Sequence, residues 1–204
     1  MATHRGFDVL ELEPDRGVAT GEDFERKVFV MDSITGAREG DAVDVAPASV
    51  RDFRWLAFNR TEAKERRDFI DARKGRAVPC WFPAWEEDLT LATDHAPGAL
   101  TLVILSMGYT LHMFPGSNTR RHLAIRVPGG TFYYRKVGAA IDNGNGTETL
   151  TLEEPVPVTM PSSGTLVAFL HFARMDADEV EIEWVGQFSE CVLRTRDLPT
   201  EVPA

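Results

Sequence analysis

The densest run of side chains able to do chemistry lies near the C-terminal end, where His171, Arg174, Asp176, Asp178 and Glu179 follow one another closely. In an extended strand alternate side chains share a face, so Asp176 and Asp178 point one way while His171 points the other unless the chain turns between them. That spacing opposes a hydrolytic or metal-binding cluster. It favours Arg174 neutralising Asp176 or Asp178 at a bend or a subunit contact, where a bidentate arginine–carboxylate pair fixes geometry as well as adding energy. A second oxygen-rich stretch, Asp142-Asn143-Gly144-Asn145-Gly146-Thr147-Glu148, has the flavour of a calcium loop, but its glycines occupy positions that a calcium loop fills with oxygen side chains. Asn-Gly pairs accept the positive φ of tight hairpins, so the stretch predicts a turn. His4, His95, His112 and His122 are scattered without metal-ligand spacing on a common element. Ser33, Ser106, Ser162 and Ser163 stand in no nucleophile-elbow context, and neither a phosphate-cradling glycine loop nor a dinucleotide fingerprint occurs. Cys80 and Cys191, the only cysteines, read as inert buried thiols in a chain that needs no disulfide framework. These residues predict no catalytic centre, no metal site and no cofactor.

The elements that position them begin with a charge-laced helix. Asn59 or Thr61 can cap its start, Glu62 suits the positive end of the backbone dipole and Arg73 and Lys74 the negative end. Glu62 with Arg66, Lys64 with Asp68, and Arg67 with Asp71 fall four apart on a solvated face, each pair worth about 0.2–0.5 kcal/mol. Ala63, Phe69, Ile70 and Ala72 supply a narrow apolar stripe, and Gly75 can take a left-handed C-terminal cap, so the spacing predicts a helix over about residues 61–74. After it, Pro79 and Pro83 forbid further helix around Cys80-Trp81-Phe82-Pro83-Ala84-Trp85. Aromatics of this size each bury roughly 150–250 Å², so Trp81, Phe82 and Trp85 must pack in a core, form a subunit interface, or make a ligand platform such as a sugar-stacking surface.

Elsewhere the chain reads as strands bounded by Gly, Pro or Asn: 100–105, 122–127, 131–137, 149–152, 165–173 and 180–185. In the last, Val180, Ile182 and Trp184 alternate with Glu181 and Glu183, predicting one dry and one wet face. The expected fold is mainly β with one principal α-helix, in the α+β class: an antiparallel β-sandwich or barrel with the helix packed against it. The expected organisation is an N-terminal β-plus-helix half, 1–95, and a C-terminal antiparallel β half, 96–204, divided near 92–98, or one continuous domain.

A chain of 204 residues is long enough to bury a core without staples. With 22 basic against 32 acidic residues and a net charge of −10, it lacks the clustered Lys and Arg that a nucleic-acid-coating surface needs. The N-terminal residues lack the apolar run of a signal peptide, and no window approaches the roughly 18 apolar residues that cross a bilayer. A protein made in the cytoplasm, without membrane insertion and without sequence-specific nucleic-acid binding, is expected.

Ala72-Arg73-Lys74-Gly75-Arg76-Ala77, then Trp81-Phe82, then Asp88-Leu89, resembles in order the distal tail proteins of long-tailed bacteriophages, and especially the short versions of gene-transfer-agent-like particles. Ser33-Ile34-Thr35-Gly36-Ala37-Arg38 with Val50-Arg51-Asp52-Phe53-Arg54-Trp55 is similar to the opening strands of that family. The closing segment is matched by Phe172-Ala173-Arg174-Met175-Asp176-Ala177-Asp178-Glu179-Val180-Glu181. The resemblance implies a structural virion protein located at the tail tip. It would assemble with copies of itself as a ring, usually a hexamer, between the tail tube protein and the baseplate hub protein. On that reading the candidate subunit-interface residues are Trp81, Phe82, Trp85, Arg174 and Asp176. The alternative is a β-sandwich module that binds carbohydrate or a receptor, with Trp81, Trp85, Tyr133 or Tyr134 as stacking platforms.

Overall fold

A computed structural model describes residues 2–15, 17, 21–26, 28–32, 38–42, 47–116 and 118–203; Ser33 to Ala37, part of the resemblance above, lie outside the described residues. The strands in chain order are β1 (Ala2–His4), β2 (Phe7–Val9), β3 (Glu22–Glu25), β4 (Val28–Asp32), β5 (Arg38–Ala42), β6 (Ala48–Ala57), β7 (Cys80–Pro83), β8 (Thr101–Leu105), β9 (His122–Arg126), β10 (Phe132–Asp142), β11 (Thr147–Leu152), β12 (Leu166–Met175), β13 (Ile182–Val185) and β14 (Phe188–Asp197), with one long helix, α1 (Arg60–Arg73). The fold is the expected mainly-β, α+β class. None of the helices among the described residues is long and apolar enough to cross a membrane.

The halves are not those the sequence suggested. One compact unit is 1–11 with 81–171, the other 12–80 with 172–204. The stretch 92–98, taken from sequence as a boundary, lies inside the first unit. Its turn-forming residues connect strands of a single barrel, which composition cannot distinguish from a linker.

In the first unit, β12 pairs with β9, β9 with β10, β10 with β11 and β11 with β8, all antiparallel. Closure comes from the segment after β7. Leu89 bridges Val167 on β12, and Leu91 bridges Ile104 on β8. The ring of backbone pairing is thereby complete, which removes the open edges that invite aggregation. Strand alternation sends Leu102 and Ile104, Leu123 and Ile125, Leu150 and Leu152, and Val167 and Phe169 into one core, sealed by Tyr109, Val137, Val156 and Met160. Outside β9, β1 and β2 add a second layer. The Trp81 indole N–H donates to the His4 carbonyl at 2.9 Å, and the rings of Trp81 and His122 lie 4.6 Å apart. Both faces of β9 are therefore buried, as its burial pattern records.

In the second unit, β6 lies between β14 and β3, and β13 flanks β14 on its other side. β4 and β5 pair as a separate two-stranded sheet. Helix α1 begins where Asn59 Oδ1 accepts from the Glu62 N–H at 2.9 Å, while Glu62 returns a carboxylate to the Phe58 N–H. It buries Ala63, Phe69 and Arg73, and Arg66 ties it to β6 by donating to the Leu56 carbonyl at 2.6 Å. The helix ends one residue earlier than expected, with Lys74 as the left-handed cap at φ 50°; Gly75, at φ 63°, opens a short 3₁₀ turn. Of the expected apolar stripe, Ala72 is exposed and Ile70 only half-buried. Arg73 takes the buried place instead, its guanidinium 5.0 Å over the Phe69 ring.

Candidate functional site

Three of the five residues singled out from sequence are core. Trp81, Phe82 and Trp85 are 1%, 1% and 5% exposed, so an interface or a sugar platform built on them is corrected to internal packing. Their segment carries the chain from β12 across to β8: Ala84 donates to the Phe169 carbonyl, Asp88 accepts from the Phe169 N–H, and Leu105 donates to Thr90. Trp81 packs between His4 and His122, and Trp85 lies edge-on to Phe132 at 5.7 Å. Trp85 holds φ 63°, a left-handed backbone rare for a bulky residue.

Arg174 and Asp176 are nearer the surface but do not pair with each other. Arg174 donates to both carboxylate oxygens of Glu201 at 2.8 and 3.0 Å. Asp176 accepts from Arg196 at 2.6 Å and lies 3.4 Å from Arg194. Asp178 takes a bidentate pair from Arg76 at 2.9 and 3.2 Å as well as the Arg76 backbone N–H. The contacts from Arg76 hold the Asp178 carboxyl below its ordinary range. The reason is register: Arg174 stands opposite Arg196, and the Asp176 N–H donates to the Arg194 carbonyl, so β14 supplies the arginines that meet Asp176. Together Arg76, Arg174, Met175, Asp176 and Arg196 line a cleft of about 410 Å³. It is an arginine-rich dent whose charges are already answered by carboxylates. His171, weighed above with these acids, is a buried strand residue of the barrel unit. Among the described residues, no group of three or more His, Cys, Asp or Glu could hold a metal.

The strongest polar site was not foreseen. Glu148, wholly buried, accepts from the Ser106 hydroxyl and from the backbone N–H groups of Met107, Gly108, Tyr109 and Thr110, at 2.6–3.1 Å. Gly108 sits at φ 78° and turns these amides inward at the start of a short helical turn, Tyr109–Met113. Burial alone would raise the carboxyl's pKa, but the converging hydrogen bonds outweigh it and hold the group down at about 2. The carboxylate latches the 106–110 turn onto the barrel end. The signal was present in Thr147-Glu148-Thr149-Leu150-Thr151-Leu152, where Glu148 shares the inward register of Leu150 and Leu152. The Asn-Gly turn at 143–146 is as expected, with Asp142 paired to Glu148 across it.

The outer face of β10, β11 and β8 departs from the chain's charged character. Register aligns Ala139 with Thr151 and Thr101, then Ile141 with Thr149 and Val103, then Thr147 with Leu105. Asn143 completes the last row by donating to the Thr147 and Thr149 hydroxyls. No side chain in these rows is charged, although 26% of the whole chain is; Ile141 is 60% exposed and Leu105 half-exposed. An uncharged face of threonine and aliphatic residues costs little to dehydrate and suits burial against another protein. In comparisons with known proteins, no family model matches the chain, and no curated protein matches it.

Proposed function

We propose that this protein is a structural subunit that assembles with copies of itself into a ring. The resemblance set out above would place that ring at the distal end of a phage tail, between the tail tube and the baseplate hub. The observation that supports assembly is the uncharged outer face of β8, β11 and β10 on a chain of net charge −10. Ring contacts are heterologous, one patch of each copy meeting a different patch of the next. A persistent contact of this kind buries upward of about 1,000 Å². Arg174 and Asp176 keep a rim role at most, because exposed ion pairs contribute about 0–1 kcal/mol each. Trp81, Phe82 and Trp85 have none in the contact surface. Negative-stain imaging of the purified protein tests the reading: annular particles support it, and a field of single copies at every concentration opposes it.

A second reading, carbohydrate or receptor binding, draws on a cleft of about 390 Å³ in the barrel unit, lined by Phe132, Tyr133, Tyr134, Arg5, Arg135 and Lys136 among others. With Trp81 and Trp85 buried, Tyr133 is the platform left to it. Glycan-array binding lost in Tyr133→Ala would favour this reading; an array without signal would end it.

A further inference from the structure

We infer that the outer edge of β13 captures an extended, acidic segment of another polypeptide by strand addition. This stands independently of the ring reading, since it concerns a different surface and a different kind of contact.

β13 pairs with β14 on one side, and among the described residues no strand pairs with its other side. Gly186 and Gln187 form a two-residue turn, so Val185 and Phe188 close the hairpin. A closing pair in such a hairpin exchanges both backbone hydrogen bonds, and the pattern then alternates. Val185 and Glu183 are thus engaged with β14, while Ile182 and Trp184 turn their N–H and C=O groups to the open side. Proteins usually blunt such edges with proline, lysine or a bulge. Ile182-Glu183-Trp184-Val185 has no proline, lysine or bulge, Glu183 is its one charge, and Trp184 and Val185 are 47% and 74% exposed.

The chemistry beside the edge selects the partner. Trp184 shares the strand face of Ser189 and Cys191, and helix α1 brings Arg60, Lys64 and Arg67 alongside it to line a groove of about 390 Å³. Lys64 is paired with Asp68, so Arg60 and Arg67 are the cations the groove offers beside the indole, in a chain of net charge −10. An added strand would place alternate side chains over this groove, where carboxylates meet the cations. Its other side chains would lie beside Glu183 and Val185, so the acidic positions belong on the groove side and the apolar ones on this side; Val185 is backed by Phe188, whose ring is edge-on to the exposed Phe58 at 5.9 Å. Main-chain hydrogen bonds supply the attachment and the alternate side chains the selectivity, as in other strand-addition complexes.

The test is fluorescence anisotropy on the full-length protein with short labelled peptides of alternating valine and glutamate. A lysine-for-glutamate version and a version N-methylated on alternate amides are the controls. The account expects saturable binding of the glutamate peptide, at least about tenfold tighter than the lysine peptide. It also expects loss of binding on N-methylation, and reversal of the charge preference in the Arg60→Glu/Arg67→Glu variant. Equal binding of the two charged peptides, indifference to N-methylation, or no saturation by any peptide would overturn it; the peptide controls leave the protein unaltered, so misfolding cannot mimic these outcomes.

Discussion

The two units solve the problem of sheet edges in opposite ways. In the barrel unit the segment 89–92 closes the last gap between β12 and β8, and the outer rows of β8, β11 and β10 form an uncharged stretch of its surface. In the helix-bearing unit the sheet stays open: among the described residues β13 has one partner, and Trp184, Val185 and Phe188 are about half-exposed or more. A closed barrel can present a face but not a backbone ladder, whereas an open edge offers both. The barrel should therefore dominate stability, and the open unit should tolerate change except where it meets a partner.

The largest effect should come from cutting the barrel core. Leu150→Ala, at a wholly buried position, should lower stability by about 2–5 kcal/mol, whereas Val185→Ala on the open edge should stay within about 0.5 kcal/mol; paired chemical-denaturation curves check the contrast, and equal losses would break it. Next comes the latch. Glu148→Gln should cost on the order of 2–3 kcal/mol, because it replaces a carboxylate that answers several buried donors at once. Its pH dependence has a definite sign. A carboxyl held at about 2 in the folded protein, against 4.5 ordinarily, adds stability that is complete above the ordinary value and is lost as pH falls toward 2. His4 adds a step at higher pH: burial, with Arg5 and then Arg135 nearby, pushes it from 6.5 down to about 4, so the unfolded chain binds the extra proton and stability falls as pH drops from 6.5 to 4. Melting temperature followed from pH 7 to pH 2 should decline in both windows in the wild type, with the lower decline flattened in Glu148→Gln.

In the open unit, Gly75→Ala should cost about 1–3 kcal/mol, since its φ of 63° strains any side chain and the added Cβ would lie 2.5 Å from Asp178 Oδ1; an unchanged melting temperature would contradict this. The smallest effect belongs to Arg174→Ala. Its exposed pair with Glu201 should contribute no more than about 1 kcal/mol, and thermal melts of the variant should nearly overlay the wild type.

The sequence disclosed local structure well and partnership poorly. Helix α1, the Asn-Gly hairpin and the barrel strands follow from caps, turn chemistry and alternation, all of which act over a few residues. The closing role of Trp81–Leu91 did not, because pairing with β12 and β8 depends on residues far away in the chain. Likewise Arg174 and Asp176 looked like partners by proximity, whereas β14 fixes which charges meet. The stretch 180–185 illustrates a third kind of difference: its alternation promised a dry face, yet Trp184 is half-exposed because β13 is an edge strand that, among the described residues, pairs with β14 alone. Glu148 was visible as a lone acid in an inward register, but the amides that satisfy it come from the turn at 106–110.

The central claim is that the uncharged face of β8, β11 and β10 is a contact surface between copies. Light-scattering mass of the wild type and of Thr149→Glu, with melting temperature as the folding control, tests it most directly. The account predicts a multi-copy particle that falls apart in the variant while the melting temperature stays close to that of the wild type; a wild-type mass of one chain at all concentrations, or an assembly untouched by the substitution, would contradict it.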